Sequence, residues 1–334
     1  MIDIRPDRLD AIFESGRNRR ILVIGDLMID RYLWGGVSRI SPEAPVPIIN
    51  IEDEEVRFGG AANVANNIIG LNAEPILVGT VGDDAWGTFF QERLSAKNLS
   101  GKGLIIDPTR PTSTKTRIIG NNQHIARVDR EKIQPVDRNV QNKAIRFVEQ
   151  IIDSVDAILL QDYNKGMLVP ELTEQIIALA NRYGKMITVD PKFDNFLEFK
   201  NVTVFKPNKK ETEEALAMRL ETIENIEDAG KELLERLNAK SILITLGSKG
   251  MALFEKNKKP LFSGTRARKV ADVSGAGDTV IATLTVALAA GASIAEAVTL
   301  ANFAAGVVCE EVGVVPIDRE RLFEAVLKTQ TKIL

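Results

Sequence analysis

Ile21-Leu22-Val23-Ile24-Gly25-Asp26 is an unbroken aliphatic run that stops at a Gly-Asp pair, the pattern of a strand buried on both faces in a parallel sheet. Working outward, short runs of the same kind recur at Glu74 to Gly79, Ala157 to Gln161, Met186 to Asp190, Val202 to Phe205 and Ser241 to Leu246. Amphipathic stretches of helical length lie between most of them, at 61–70, 85–97, 137–152, 170–183 and 223–237. This alternation predicts an α/β fold, a doubly wound, mostly parallel sheet flanked by helices. Two stretches break it: Trp34 to Ile51, with Pro42, Pro45 and Pro47, and Thr112 to Val128, with an Asn121-Asn122 turn signal. We expect 34–51 and 112–128 to be insertions forming one small β-sheet lid that excludes water from a site, within a single domain spanning 1–334. The plainer alternative is a pair of surface hairpins.

Composition narrows the function. Forty-three Lys and Arg against 46 Asp and Glu give a net charge of −3, so no global basic field exists to draw in nucleic acid, and a bound anion must be held locally. Cys309 is the only cysteine and His124 the only histidine. Intramolecular disulfides, thiolate zinc clusters, paired-histidine zinc sites and the H-x-G-H nucleotidyltransferase motif are thereby excluded. The first 20 residues mix five Arg with acids and contain no apolar core of a secretory signal. The longest uncharged stretch, Thr279 to Ala295, is short for a membrane span and is interrupted by Gly291. We therefore expect a cytoplasmic protein with neither a membrane nor a nucleic-acid partner.

Asp272-Val273-Ser274-Gly275-Ala276-Gly277-Asp278-Thr279 carries the most chemistry. Gly275 and Gly277 let backbone N–H groups crowd at the start of a helix, where the positive end of the dipole favours an anion. Asp278 follows in the first turn, placed to accept a proton from a hydroxyl nucleophile, or else merely to complement the dipole. No G-x-x-x-x-G-K-[ST] occurs, and Val280 stands where a dinucleotide fingerprint needs its last glycine. A nicotinamide dehydrogenase is disfavoured accordingly. Asp26 and Asp30 follow the first strand, where open α/β sheets bind ligands, and carboxylates there suit sugar hydroxyls. Gly59-Gly60-Ala61-Ala62-Asn63 then opens a helix with close backbone approach and an amide side chain. Cys309, in an apolar run, reads as a packed thiol.

The segment 272–278, Gly59-Gly60 with Asn63, Pro207-Asn208-Lys209-Lys210-Glu211 and Thr245-Leu246-Gly247-Ser248-Lys249-Gly250 stand in the order found in ribokinase-like sugar kinases of the phosphofructokinase-B type. The chain resembles that family over nearly its whole length. Within it, 25–32, the proline-rich Ser38 to Pro47, Asp162-Tyr163-Asn164-Lys165-Gly166 and Asp190-Pro191-Lys192 look like the branch acting on D-glycero-β-D-manno-heptose 7-phosphate. Thr283 and Val314 depart from the family's usual small residues and are expected to affect packing or a cation loop.

The resemblance implies a ribokinase-like fold and an ATP-dependent kinase that phosphorylates the anomeric C1 hydroxyl to give the 1,7-bisphosphate, for ADP-heptose and lipopolysaccharide core synthesis. Asp278 would be the base, with the N–H groups of Gly275, Ala276 and Gly277 as the anion hole. Asp30, Gly60 and Asn63 would hold the sugar. Asn208 and Glu211 would act near the nucleotide phosphates and Mg2+, Glu211 through a magnesium-bound water. Thr245, Gly247 and Gly250 would line the nucleotide channel, with Asn302 by the adenine. ATP and Mg2+ follow as cofactors, and a monovalent cation such as K+ is left open. Arg39, Lys115, Arg127, Lys165 and Lys192 are candidates for the substrate's own phosphate, which needs charge-assisted contacts that a neutral sugar does not. Exposed lid edges invite a homodimer. The alternatives are a related kinase for another sugar or sugar phosphate, and a catalytically silent binder, against which the retained Asp278, Gly275 and Gly277 argue.

Overall fold

The computed structural model describes residues 2–121, 123–266, 271–311 and 313–330. Its strands are β1 (Arg20–Gly25), β2 (Leu27–Ile40), β3 (Pro47–Gly60), β4 (Glu74–Val81), β5 (Leu104–Ile106), β6 (Ser113–Gly120), β7 (Gln123–Arg130), β8 (Ala157–Gln161), β9 (Met186–Asp190), β10 (Val204–Phe205), β11 (Ser241–Thr245), β12 (Met251–Glu255) and β13 (Leu261–Ser263). Its helices are α1 (Pro6–Gly16), α2 (Ala61–Gly70), α3 (Ala85–Ala96), α4 (Arg138–Ile151), α5 (Pro170–Arg182), α6 (Lys209–Leu216), α7 (Ile223–Leu237), α8 (Ala276–Ala289), α9 (Ile294–Cys309) and α10 (Arg319–Gln330).

The large sheet runs β13-β12-β11-β10-β9-β8-β1-β4-β5. It is parallel except at β11–β12 and β12–β13. The aliphatic run from Ile21 lies inside it: β1 pairs in parallel with β4 on one side and β8 on the other. Chain order reverses there, so a ligand crevice opens at the C-terminal ends of these strands. Ile21 and Val23 point into a core layer with α1, α2, α8 and α9, whereas Leu22 and Ile24 point into a second layer with α4, α5 and α7. Apolar residues on both faces explain why these strands read as continuous runs rather than alternating ones. Helix α9 begins with the capping box that the sequence suggests: Ser293 N–H donates to Glu296 and Glu296 N–H to the Ser293 hydroxyl. Among the described residues no helix is long and apolar enough to cross a membrane.

The second sheet has the order β3-β2-β6-β7 and differs in extent from the expected lid. Its strands cover 27–60 and 113–130, not 34–51 and 112–128. Proline explains part of the difference. Pro42 and Pro45 lie in the loop 41–46 between the two long strands, and Pro47 begins β3, because a residue without an N–H cannot serve inside a ladder. Before Trp34 the apolar Leu27-Met28-Ile29 stands directly after β1, with only Asp26 between, and breaks off at Asp30-Arg31, and after Ile51 the strand continues through the acidic run Glu52-Asp53-Glu54-Glu55, so neither segment shows the period-two alternation of a half-buried strand. Asn122 of the expected turn lies outside the described residues.

Candidate active site

The site forms where α8 points its N-terminus at the ends of β8 and β9. Gly275 caps α8 at φ +78°, the left-handed region, and a Cβ there would lie 2.9 Å from Val314 and 3.3 Å from the Asn63 amide. Only glycine brings the chain this close. Of the three amides expected to form the anion hole, the Ala276 N–H donates to the Val273 carbonyl at 3.2 Å. Gly275 and Gly277 stand at the positive end of a 14-residue helix, where the dipole favours an anion.

Asp278, in the first turn, is 6% exposed. Its Oδ2 accepts from the Asn63 side-chain amide at 2.7 Å; its Oδ1 accepts from the Tyr163 hydroxyl at 2.7 Å and from Gln161 Nε2 at 3.3 Å. Burial pushes this carboxyl up to about 6, against the Asn63 and Tyr163 hydrogen bonds; nearby Asp190 adds to the rise and Lys206 opposes it. A carboxylate ionised near neutrality yet basic enough to take a proton suits general base work. Beside it Lys206 and Asp190 form a buried ion pair at 3.0 Å, and Gln161 Nε2 also donates to Asp190 at 3.3 Å.

A cleft of about 620 Å3 extends from Asp278 and Lys206 past Asn208 and Thr245 to Gly247, Gly250 and Asn302. Asn208 and Glu211 close a capping box at the start of α6. Asn208 and Thr245 form a parallel bridge, tying that cap to the end of β11. Gly250 has φ +92°, and a Cβ on it would meet the Ser263 carbonyl at 1.9 Å. Asn302 donates to the Ser263 hydroxyl at 2.7 Å and the Gly264 carbonyl at 2.8 Å, so it clamps the chain after β13 onto α9 while lining the cleft. Glu211 accepts from the Asn208 N–H and from Lys192. Burial opposes the charge on Lys192, but Asp190 and Glu211 hold its ammonium above the usual lysine value.

On the opposite side of Asp278 lies the small sheet. Asp30 is ion-paired with Arg117 across β2 and β6. Glycine again permits the approach: a Cβ on Gly59 would fall 2.3 Å from the Asp30 carboxylate, and one on Gly60, which has φ +59°, 2.4 Å from the Asp26 carbonyl. The expectation that Asp26 faces a sugar fails. Its carboxylate, 3% exposed, accepts the N–H groups of Tyr163, Lys165 and Met167 at 2.9 to 3.0 Å, which fixes the loop after β8 and commits the group to the backbone.

Of the residues read as phosphate candidates, three share acids in one network. Lys115 pairs with Asp129 and Glu131, Lys165 with Glu131, and Arg127 with Asp129. Lys192 lies apart, in the 620 Å3 cleft, and Arg39 is exposed near the end of β2. Sequence reasoning missed Arg57 and Arg117, whose guanidinium groups lie 5.2 and 5.0 Å from the Tyr32 ring. Strand alternation carried the signal for Arg117, two residues beyond Lys115 on β6. Tyr163 and Lys206 were missed as well, and neither lies in a periodic pattern.

Residues 18–320 match the family described as pfkB family carbohydrate kinase. The chain belongs to the pfkB family. It is an ATP-dependent sugar kinase. The bifunctional protein HldE of Helicobacter pylori is 43% identical over 316 residues, 95% of this chain and 68% of that protein. HldE of Desulfatibacillum aliphaticivorans is 42% identical over 303 residues, 91% of this chain and 62% of that protein. The chain thus spans about two thirds of the length of these relatives. The fold is shared with Arabidopsis thaliana ribokinase complexed with ribose and ATP, at TM-score 0.72 and 21% identity, covering 93% of this chain and 99% of that one. It is shared also with Escherichia coli phosphofructokinase-2 in complex with fructose-6-phosphate, at TM-score 0.75 and 17% identity, covering 94% and 99%.

Proposed function

We propose that this pfkB kinase transfers the γ-phosphoryl group of ATP to the anomeric C1 hydroxyl of D-glycero-β-D-manno-heptose 7-phosphate, giving the 1,7-bisphosphate for ADP-heptose and lipopolysaccharide core synthesis. The observation that carries the reading is Asp278, a buried carboxylate raised to about 6 beside amides at a helix start. Asp278 takes the hydroxyl proton, the C1 oxygen bonds to the γ-phosphorus, and the bond to the β-phosphate oxygen breaks to release ADP. Gly275 and Gly277 hold the moving phosphoryl by their N–H groups, so that positioning and charge stabilisation supply most of the acceleration. Asp30, Gly60 and Asn63 border the sugar, with Asn63 already committed to Asp278. The 42–43% identity to HldE supports the heptose, and the cationic network of Lys115, Arg127 and Lys165, with Arg117 on the same strand as Lys115, supports a phosphorylated one.

Magnesium binds oxygen, keeps several of its waters and is held largely through substrate phosphates. The donors fit that mode: among the described residues no cluster of three acids, histidines or cysteines exists to cage a metal, and both Glu211 oxygens are engaged by protein donors. Glu211 and Asn208 would therefore reach the ion through water. When bound, magnesium neutralises charge on the ATP phosphates. A requirement for K+ is tested by exchanging it for Na+ in the assay. We further propose a cytoplasmic homodimer joined through the small sheet, because every residue of β7 is exposed on an outer edge.

A coupled ATP-consumption assay across heptose 7-phosphate, fructose 6-phosphate, fructose 1-phosphate, ribose and adenosine tests the function. Preference for heptose 7-phosphate by more than tenfold in kcat/KM is expected. Preference for another acceptor gives the site to a different sugar, and no turnover with any of them leaves a silent binder.

A further inference from the structure

We propose that Tyr163 is a positioning residue for the base: its phenol fixes the orientation of Asp278 and keeps it ionised in the working pH range. The inference rests on Asp278 being the base. The backbone of α8 fixes only the Cα of Asp278, and two side-chain torsions decide where its oxygens point. Asn63, in the first turn of α2, holds Oδ2 at 2.7 Å, and Tyr163, from the loop after β8, holds Oδ1 at 2.7 Å. Donors from two separate elements therefore set the carboxylate plane, and since each oxygen carries two acceptor sites, room remains for a substrate hydroxyl.

Tyr163 is itself anchored. Its N–H donates to Asp26 at 2.9 Å, and Asp26 also takes the N–H groups of Lys165 and Met167. The Lys192 ammonium lies 5.6 Å from the centre of the Tyr163 ring, a cation–π contact that helps hold the ring. Burial and the neighbouring Asp278 carboxylate raise the phenol well above its ordinary value, so its proton stays on and the hydroxyl acts as a donor throughout the working range. A donor to a carboxylate favours the charged form.

The charged groups around this hydrogen bond come from every neighbouring element: Asp190 at the end of β9, Lys206 after β10, Lys192 after β9 and Asp30 on β2. Asp190 is neutralised by Lys206, and Asp30 by Arg117. Among these groups the Tyr163 hydroxyl alone donates to Oδ1 at 2.7 Å, the Gln161 amide standing 0.6 Å further off.

The experiment is the pH dependence of kcat and kcat/KM for Tyr163→Phe and for 3-fluorotyrosine placed at position 163. Losing the donor should move the acid limb of both profiles up by about one pH unit, with turnover on the alkaline plateau falling less than tenfold. The more acidic fluorophenol, a stronger donor, should move the limb down. Limbs that stay in place while turnover falls equally at all pH values overturn the proposal in favour of a packing role. The fluorinated protein keeps the ring and its packing, so it decides the matter if Tyr163→Phe does not fold. Full activity of Asp278→Asn would instead overturn the base assignment, a result distinguishable from an unmoved limb.

Discussion

The start of α8 and the basic cluster at the small sheet each hold an anion in our reading, by opposite means. At α8 the donors are backbone N–H groups fixed by Gly275 and its neighbours, with one buried carboxylate among them. On the small sheet the donors are long cationic side chains, and Asp30, Asp129 and Glu131 occupy them in the free protein. The first arrangement is organised before ligand arrives. The second must exchange protein carboxylates for a phosphate, which makes affinity there depend on a difference between two charge-assisted pairs. Chemistry should therefore fail when the α8 end is altered, and substrate binding when the sheet is altered.

The largest effect belongs to the α8 end. Asp278→Asn should lower turnover by roughly a hundredfold to ten-thousandfold, the range for a lost general base, with ATP binding by calorimetry nearly unchanged. Turnover above half the wild-type value would place the base elsewhere and dissolve the contrast.

Next comes the sheet. Replacing Lys115, Arg127 or Lys165 singly with Met should raise KM for heptose 7-phosphate more than tenfold and leave KM for ATP within about twofold, since each charge-assisted contact is worth about 1.5 to 3 kcal/mol before the exchange with Asp129 or Glu131 is subtracted. Lys192→Met should depart from the set by lowering kcat, because Lys192, paired with Glu211, lines the cleft we propose for the nucleotide. Steady-state kinetics with both substrates varied checks this. If no variant weakens the sugar phosphate selectively, or if the dephosphorylated heptose reacts equally well, the sheet does not read the phosphate.

Pairing of the sheet is a milder test of the same surface. Sedimentation at tens of micromolar protein should show a dimer, and Val128→Lys on exposed β7 should shift it toward monomer by at least tenfold in Kd. A wild-type monomer with and without substrate removes the idea.

The two regions also differ in how far they could be read from sequence. Around α8, glycine spacing and an acid in a first turn announce themselves, and the buried runs of β1, β8 and β9 leave little choice of fold. Helices α2 and α7 fall on their expected bounds because apolar periodicity and end signals agree there. The small sheet hid more, since β3 carries a run of four acids, Glu52 to Glu55, β2 breaks its apolar start at Asp30-Arg31, and Arg57 and Arg117 meet only through the register of β2 with its neighbours. Lys206 follows a strand of two residues, and no pattern in sequence marks a lysine for burial against Asp190. Asp26 misled for a related reason. Its position at a strand end fits a ligand, and only the course of the loop after β8 shows that three backbone amides consume it.

The smallest effect returns to Asp278 and concerns stability. The folded carboxyl, at about 6, lies above its ordinary 3.8, so the folded state prefers the protonated form. The stabilising contribution is fully present below pH 3.8 and is lost as pH rises through about 6. At neutral pH the ionised group then destabilises the fold by up to roughly 3 kcal/mol, the free-energy equivalent of the gap between those two values. Asp278→Asn removes the charge and keeps the shape, although its amide nitrogen must face one donor, Gln161 Nε2 or Asn63 Nδ2, which offsets part of the gain. The variant should melt about 1 to 4 °C above wild type at pH 8, and the gap should close as the pH is lowered to 5. Calorimetric scans at the two pH values check it. A variant that melts lower at pH 8, or a gap that widens on acidification, would mean that Asp278 is a net stabiliser of the α8 end, and that the cradle is not strained by the charge it holds.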